Sequence, residues 1–401
     1  MPTRRLPKGR GSHNRERPPR LAVMADQSFT ARLHSSVGEI DAAQWDALAG
    51  NDNPFTSHAF LSALEDSGSV GPGTGWAPAP LVIESEQGGI AAALPAYGKG
   101  HSQGEYVFDH AWADAWHHAG GSYYPKLQIA VPFTPATGPR LLLADSSLAT
   151  PLLRGAEELC LQNGFSSAHA TFIDSDQLPL FEAAGWLARS DIQFHWINRD
   201  YQSFDDFLAA LSSRKRKDIR KERAAAQQGI EIRALIGNEI RPQHWDAFWA
   251  FYQDTGARKW GSPYLTREAF DLFGERLGDK VLLLLAFDDG SPIAGALNFI
   301  GGSALYGRYW GCLVDKPFLH FELCYYQAID IAIERGLARV EAGAQGGHKL
   351  ARGYEPVQTF SAHWLADSGF RAAVADYLER ERRGIAVDQL QLSRHTPFRR
   401  G

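Results

Sequence analysis

This chain contains an internal repeat with a period of about half its length. The segment LVIESEQGGIAAALPAYGKG at residues 81–100 matches LLLLAFDDGSPIAGALNFIGG at residues 282–302 almost element for element. LLRGAEELCLQNGFSSAHATF at residues 152–172 likewise matches CYYQAIDIAIERGLARVEAGA at residues 324–344. Self-similarity at so long a period indicates a duplicated domain rather than a solenoid of short repeats. We therefore predict two copies of one α/β unit joined near Tyr201; the alternative is one such unit behind an unrelated N-terminal domain.

The second half shows the order of elements most clearly. The apolar runs 281–287 and 292–300 flank the turn residues Asp288, Asp289 and Gly290, which predicts a hairpin. Helical periodicity precedes this hairpin at residues 203–228, 241–256 and 266–277. After it come a strand at 304–313, a helix at 321–335, and strands at 339–343 and 359–365. The order predicts an α/β (α+β) fold, with a mixed sheet covered by helices on both faces.

The first half repeats this order more faintly. A hairpin is predicted from residues 81–85 and 90–97, and a strand from residues 167–172. Helices are predicted at residues 45–48, 58–66 and 146–163. The predicted domains are residues 27–200 and 201–401, the second carrying the active site.

Composition limits the class of protein. The chain is 44% hydrophobic and 22% charged, which is typical of a globular protein. Its longest apolar run, residues 281–287, is far shorter than the roughly 20 residues that span a bilayer. Three scattered cysteines favour neither a disulfide framework nor a zinc site, so we expect a reducing cytoplasm.

The N-terminal residues form a basic tail on an acidic body. The first 20 residues carry seven Arg or Lys and one Glu, whereas the whole chain has a net charge of −5. Such a Pro-, Gly- and Arg-rich segment cannot bury enough apolar surface to fold, so residues 1–26 are predicted to be disordered. A translational start at Met24 explains the segment equally well.

A polar loop at residues 343–352 is the strongest candidate site. Its glycines, Gly343, Gly346 and Gly347, together with Gln345, could present backbone N–H groups to an anionic group of a cofactor; a tight turn that simply needs glycine is the alternative. Arg352 stands close behind to bind substrate. His348 could act as a base, because its ordinary pKa is about 6.5; a surface histidine is the alternative of equal weight.

Two further charged residues precede that loop. Glu322 lies in the first turn of its helix, where it could take a proton from an amine or simply favour the helix dipole. Arg308 lies on an otherwise aromatic strand, between Tyr306 and Trp310. An arginine on a largely buried strand needs a partner, and a substrate anion would supply one.

The first half offers a smaller cluster. Tyr124, Lys126 and Gln128 precede the segment VPFTPATG and combine aromatic and cationic groups. They could bind substrate; an edge strand protected by a lysine is the alternative. His110, Asp114 and His117 have helical spacing, but a packing helix explains them and we expect no metal.

Four segments carry a resemblance to a known family: NPFTSHAFLSALE, YYPKLQIAVPFTPATGPRLL, SRKRKDIRKERAAAQQGI, and LHFELCYYQAIDIAIERG continuing through GAQGGHKLARGYEP. The chain resembles the GNAT superfamily and, within it, the predicted N-acyltransferases of the FemAB-like family of peptidoglycan biosynthesis proteins. These have two tandem GNAT-like domains. The resemblance covers nearly everything after the basic tail.

The resemblance implies an N-acyltransferase that uses acyl-CoA and an amine acceptor, such as a cell-envelope precursor or an amino-acid-like metabolite. It implies that Lys126 faces the groove between the units and that Tyr354 could protonate a leaving thiolate; a packed aromatic side chain is the alternative for Tyr354. Lys349 could hold an acceptor carboxylate, and a solvated lysine is the alternative. Gly347 stands where the family is expected to have an acidic residue. The first unit lacks a GAQGGHK-like loop and is expected only to shape the groove.

The basic segment SRKRKDIRKER leaves the donor open. It could hold the acceptor arm of a tRNA, the donor of FemAB-type enzymes, or contact an anionic lipid headgroup. We favour a solvated linker helix over tRNA binding. The alternatives to a CoA enzyme are a tRNA-dependent aminoacyl transferase and a non-catalytic ligand-binding relative.

Overall fold

The computed structural model describes residues 30–85, 88–259, 263–343, 347–394 and 396–399. The strands among these residues are β1 (Ala31–Leu33), β2 (Trp76–Pro78), β3 (Leu81–Glu84), β4 (Ile90–Leu94), β5 (Ala96–Lys99), β6 (Lys126–Ile129), β7 (Leu142–Leu143), β8 (Ser167–Ile173), β9 (Leu187–Ile197), β10 (Ile230–Ile236), β11 (Val281–Asp288), β12 (Ser291–Ile300), β13 (Ala304–Cys312), β14 (Arg339–Glu341) and β15 (Glu355–Leu365). The helices are α1 (Ala42–Ala49), α2 (His58–Asp66), α3 (His110–His118), α4 (Ala149–Asn163), α5 (Leu178–Ala183), α6 (Phe204–Ala210), α7 (Ser213–Gln227), α8 (Pro242–Lys259), α9 (Arg267–Leu277), α10 (Leu319–Phe321), α11 (Gln327–Glu334) and α12 (Ser368–Arg394). A π-helical turn, Glu322–Tyr326, joins α10 to α11, and a 3₁₀ helix spans Gly347–Arg352.

The two halves of the chain build one large sheet. Its strand order is β10-β11-β12-β13-β14-β9-β15-β8-β6-β5-β2, and a smaller sheet has the order β1-β3-β4-β7. Strand β9 of the first half pairs with β14 of the second, and β15 lies between β8 and β9. The halves therefore exchange strands, and the domain boundary near Tyr201 stays a prediction.

Strand β11 shows why the second half has continuous apolar runs. Its residues Leu283 and Leu285 face one core, and Leu282 and Leu284 face another. A strand covered on both faces needs apolar residues at every position rather than at alternate ones. The first of these cores also contains α2, whose Phe60 ring stacks on Phe273 at 5.0 Å, so the halves share a core as well as a sheet.

Some elements differ from those predicted. The strand expected at residues 90–97 is broken into β4 and β5 at Pro95, which has no N–H for a ladder. The helix expected at 203–228 is divided into α6 and α7, because Leu211 and Ser212 pair with residues 397–398 of the C-terminal segment. Sequence patterns did not predict β9, β10 or α12.

Two further expectations concern the basic N-terminal tail and membrane-spanning helices. The predicted disordered tail, residues 1–26, lies outside the described residues. None of the helices in the described ranges is long and apolar enough to cross a membrane.

Candidate active site

The sheet opens between β13 and β14. These parallel strands pair only through Ala304–Tyr306 and Arg339–Glu341, and β13 continues to Cys312 after β14 has ended. The pairing of β12 with β13 also shifts register between Leu297 and Asn298, and this irregularity bends the two strands beside the opening. The result is a cavity of about 130 Å³ lined by Ala296, Leu297, Asn298, Gly307, Arg308, Tyr309, Trp310, His320, Cys324, Tyr325 and Ala342.

Two polar side chains in this cavity have unused hydrogen-bonding atoms. Asn298 Oδ1 and Arg308 Nε are buried and have no hydrogen-bond partner within the described chain. Arg308 Nη2 donates to the Phe133 carbonyl, so a loop from the first half fixes the guanidinium beside the cavity. A buried donor and acceptor without partners are uncommon in native proteins and suit a polar ligand. Arg308 therefore lies beside the cavity, and its predicted role in binding substrate stays a prediction.

A tyrosine and a histidine form a pair at the cavity wall. The Tyr325 hydroxyl lies 2.9 Å from His348 Nε2. Burial raises the pKa of Tyr325, so its phenol stays protonated at neutral pH. Burial, and then the positive charges of Arg352 and Lys349, lower the pKa of His348. At neutral pH the pair therefore combines a protonated phenol with a neutral imidazole, as proton transfer requires.

The π-helical turn explains why Tyr325 was not predicted. A π turn accommodates one extra residue and rotates the side chains that follow it. Here Tyr325 lines the cavity, whereas the Tyr326 hydroxyl donates to Glu222 on α7. Helical periodicity alone cannot reveal this rotation, although π turns often occur at functional sites.

The carboxylate of Glu322 is bound by other side chains of the protein, so its predicted role as a base is corrected. Its carboxylate is 0% exposed and accepts hydrogen bonds from Arg223 Nη2 at 3.0 Å and Nε at 3.2 Å. Gln227 and Gln327 each donate another at 2.8 Å. With its oxygens occupied by these donors, Glu322 holds α7 against the π-helical turn.

The other residues predicted around the loop also have internal partners. Lys349 is buried, donates to the Gly343 carbonyl at 2.7 Å, and has its pKa lowered by burial to about 8. Arg352 donates to both oxygens of Glu222 at 2.9 and 3.0 Å. The Tyr354 hydroxyl is buried outside the cavity lining, and burial raises its pKa well above the ordinary value. These three side chains shape the site rather than face it.

The glycines of the loop are only partly described. Gly343 has a positive φ of 76°, and its carbonyl is the acceptor for Lys349. Gly347 begins the 3₁₀ helix and is exposed. Gln345 and Gly346 lie outside the described residues. The cofactor-binding role of this glycine segment stays a prediction.

The predicted substrate contacts in the first half are also revised. Lys126 is 0% exposed and donates to Ser102 at 2.8 Å, to Glu105 at 2.7 Å and to Asp109. Burial opposes its charge, but the two carboxylates outweigh burial and raise the pKa of Lys126. All three ammonium protons therefore have partners inside the protein.

Its neighbours in the predicted cluster are similarly placed. Gln128 is fully buried and donates to Thr171 at 3.1 Å. The Tyr124 hydroxyl lies 2.8 Å from Ser102 Oγ. The first half instead contributes Phe133 to the site, since its carbonyl holds Arg308.

Metal ligands are not gathered in the described parts of the chain. No group of three or more His, Cys, Asp or Glu there is arranged to hold a metal ion. The chemistry of the described site rests on a guanidinium, an amide, a phenol and an imidazole.

Comparisons with known proteins place the chain in a family. The profile of the FemAB-like family, described as peptidoglycan biosynthesis/recognition, matches residues 36–400. Among solved structures, FemX superposes with a TM-score of 0.53 at 13% identity, covering 84% of this chain and 98% of FemX. The C-terminal domain (DUF2156) of an Agrobacterium fabrum protein assigned as a lysylphosphatidylglycerol synthetase has a TM-score of 0.50 at 13% identity, covering 86% of this chain and 97% of that chain.

The structural likeness is one of fold, because identity is low. The match to FemX confirms the predicted mixed α/β fold. Among curated proteins none matches this chain. The family profile nevertheless spans almost all of the sequence beyond the basic tail, so the chain belongs to the FemAB-like family.

Proposed function

We propose that this protein transfers an acyl or aminoacyl group from an activated donor to an amine of a cell-envelope precursor. The observation that carries the proposal is the Tyr325–His348 pair, whose tyrosine faces the same opening as Arg308. Membership of a peptidoglycan biosynthesis/recognition family supports an acceptor from the cell envelope. The FemX-like fold supports transfer chemistry by analogy alone.

The residues suggest how the transfer proceeds. The acceptor amine loses a proton to His348, either directly or through Tyr325, and its nitrogen attacks the donor carbonyl carbon. The carbon–sulfur or carbon–oxygen bond of the donor breaks, and the leaving group takes a proton from the phenol of Tyr325. Arg308 would bind an anionic group of a substrate or stabilise negative charge on the carbonyl oxygen. The phenolate of Tyr325 then takes the proton held by His348, 2.9 Å away, so both groups return to their starting states.

The size of the cavity bears on the donor. Pockets that enclose a drug-sized ligand have volumes of roughly 300–1,000 Å³. The cavity of about 130 Å³ is therefore suited to the reacting group, with the rest of the donor lying outside it. We propose acyl-CoA as that donor, and aminoacyl-tRNA is the alternative. We also propose a cytoplasmic location, which three dispersed cysteines favour.

The test is a transfer assay with matched tyrosine variants. The full chain is incubated with acetyl-CoA, longer acyl-CoAs or charged tRNA, and with amines that include peptidoglycan stem peptides. Tyr325→Phe and His348→Gln should each lower kcat by about 10²- to 10⁴-fold, the usual contribution of a proton-transfer group. Tyr354→Phe is the control, because it removes a hydroxyl that does not line the cavity.

Several outcomes would change the proposal. Activity that disappears on ribonuclease treatment would identify tRNA as the donor carrier. If Tyr325→Phe and His348→Gln both keep the wild-type kcat, the pair has no catalytic role. If Tyr354→Phe alone loses activity, the assignment made from the sequence is correct and the one made from the cavity is wrong.

A further inference from the structure

We infer that the protein docks on anionic lipid bilayers through α7 and the loop at residues 313–318. The loop connects β13 to α10, and three of its six residues are exposed apolar side chains. Leu313 is 54% exposed, Val314 is 45% exposed and Phe318 is 38% exposed. Single exposed apolar residues are normal on a protein surface, but a cluster beside charged residues indicates an interaction site.

Helix α7 presents its positive charge outward. Its inner side is fixed, since Arg223 pairs with Glu322 and Asp330, and Ile219 is buried. Arg214, Lys217 and Lys221 are exposed, and Lys215 is partly exposed. Within the described parts of the chain, no ion pair involves Arg214, Lys215, Lys217 or Lys221.

The apolar loop and the basic helix form one continuous face. Lys316 Nζ donates to the Gln228 carbonyl at the end of α7, at 2.9 Å. Phe318, Lys215 and Lys221 line the same cleft, which has a volume of about 220 Å³. Apolar side chains at a loop tip, next to several lysines and arginines, match the two layers of a bilayer surface: acyl chains below and anionic headgroups above.

This face also adjoins the candidate active site. Arg352, which lines the cleft, belongs to the same 3₁₀ helix as His348. Docking would therefore hold the opening between β13 and β14 at the lipid surface, where a lipid-linked substrate could reach it. The docking itself does not depend on the transfer chemistry proposed above.

The apolar residues favour a bilayer over RNA as the partner. RNA binding draws on the same cations through phosphate contacts, and an aromatic ring can stack on a base. The aliphatic side chains of Leu313 and Val314 serve neither contact, whereas both lower their free energy by entering the acyl region. A bilayer surface contacts both the exposed apolar side chains and the cations of this face, whereas the exposed carboxylates of Asp218 and Asp315 only partly offset the positive charge.

The test is co-sedimentation of the full chain with vesicles. Phosphatidylcholine vesicles are compared with vesicles that also contain phosphatidylglycerol, at low and high salt. Binding should require phosphatidylglycerol and weaken with salt. Each neutralised lysine near an anionic surface should lower the partition coefficient about five-fold, which corresponds to about 1 kcal/mol.

Two variants and one control separate this face from other charges. Lys215→Gln/Lys217→Gln/Lys221→Gln should weaken binding about 100-fold by the same reckoning. Leu313→Ser/Val314→Ser/Phe318→Ser should also weaken it, although it leaves every charge in place. The control, Arg380→Gln/Val387→Ser/Leu390→Ser, removes similar exposed groups from α12 and should bind as the wild type does.

The serine variant decides the outcome. If it binds vesicles as tightly as the wild type, attraction arises elsewhere, for instance in the basic N-terminal residues, and the inference is overturned. It is also overturned if the wild type ignores phosphatidylglycerol vesicles but binds bulk tRNA in a manner that the glutamine variant abolishes. Loss of vesicle binding in both variants, with the control intact, supports it.

Discussion

Replacing Arg223 by methionine should destabilise the protein strongly, because it leaves the carboxylate of Glu322 charged and buried. That carboxylate is 0% exposed, and Arg223 supplies two of the four hydrogen bonds it accepts from Arg223, Gln227 and Gln327. The two glutamine amides that remain are neutral. The perturbation therefore tests whether Glu322 is a structural ion rather than a catalytic base.

The expected magnitude follows from the geometry of the pair. Removing one partner of a buried ion pair destabilises by about 3–5 kcal/mol, because the other charge stays without compensation. The guanidinium also lies 4.3 Å from the ring of Phe204, a contact that contributes about 0.5–1 kcal/mol. Asp330, the third member of the cluster, is 33% exposed and can be hydrated instead. We expect a loss of about 4 kcal/mol for Arg223→Met.

A double variant should recover much of that loss. In Arg223→Met/Glu322→Met both charges are gone, and replacing a buried ion pair by apolar residues is often neutral or stabilising. We expect the double variant to be at least about 2 kcal/mol more stable than Arg223→Met. The surface control is Arg199→Met, which breaks a half-exposed pair with Glu355 and should change stability by less than about 1 kcal/mol.

Equilibrium unfolding in urea at neutral pH, followed by intrinsic fluorescence, measures these differences if the slopes agree between variants. The reasoning is refuted if Arg223→Met is no less stable than Arg199→Met, or if the double variant recovers nothing. A stable Glu322→Gln variant whose transfer rate falls by 100-fold or more would restore the catalytic reading of Glu322.

The remaining predictions concern the buried polar cluster of the first half. Lys126→Met leaves Glu105 and Asp109 without their shared cation. It should therefore destabilise the protein by about 3–5 kcal/mol in urea unfolding, without changing KM for an acceptor. Unaltered stability of this variant would contradict the prediction. Burial lowers the pKa of His169 to about 3, against about 6.5 in the unfolded chain, so only the unfolded chain takes up this proton as the pH falls below 6.5. The contribution of His169 to the free energy of unfolding therefore keeps its full value above pH 6.5, and it decreases as the pH falls from 6.5 toward 3. Between pH 7 and pH 5 the wild type should thus lose about 2 kcal/mol relative to His169→Asn, and parallel stability curves for the two proteins would refute the assignment.

The local elements of the second half were largely predictable from the sequence. The runs on either side of Asp288, Asp289 and Gly290 form β11 and β12, because a continuous apolar stretch bounded by turn residues has few other solutions. The missed strand β9, with the sequence LARSDIQFHWI, has a different character. Its polar residues are covered by parts of the chain distant in sequence, so no local pattern marks it as buried.

Of the predicted site residues, the structure brings Arg308 to the cavity and His348 to Tyr325, which lines the cavity. Their roles as a substrate-binding cation and a base stay predictions. Tyr325 was missed because the π-helical turn rotates it out of helical register. Lys126 and Glu322 were assigned to substrate, although each has partners inside the protein.

The sequence alone therefore supplied many of the elements, a predicted duplication and the family resemblance. All three depend on residue order over short spans or on comparison between such spans. Which strands exchange between the halves, and which charges neutralise one another, became clear only from the folded chain. Glu322 and Arg223 are 99 residues apart, and whether a charge faces a ligand or another side chain depends on contacts between segments that only folding brings together.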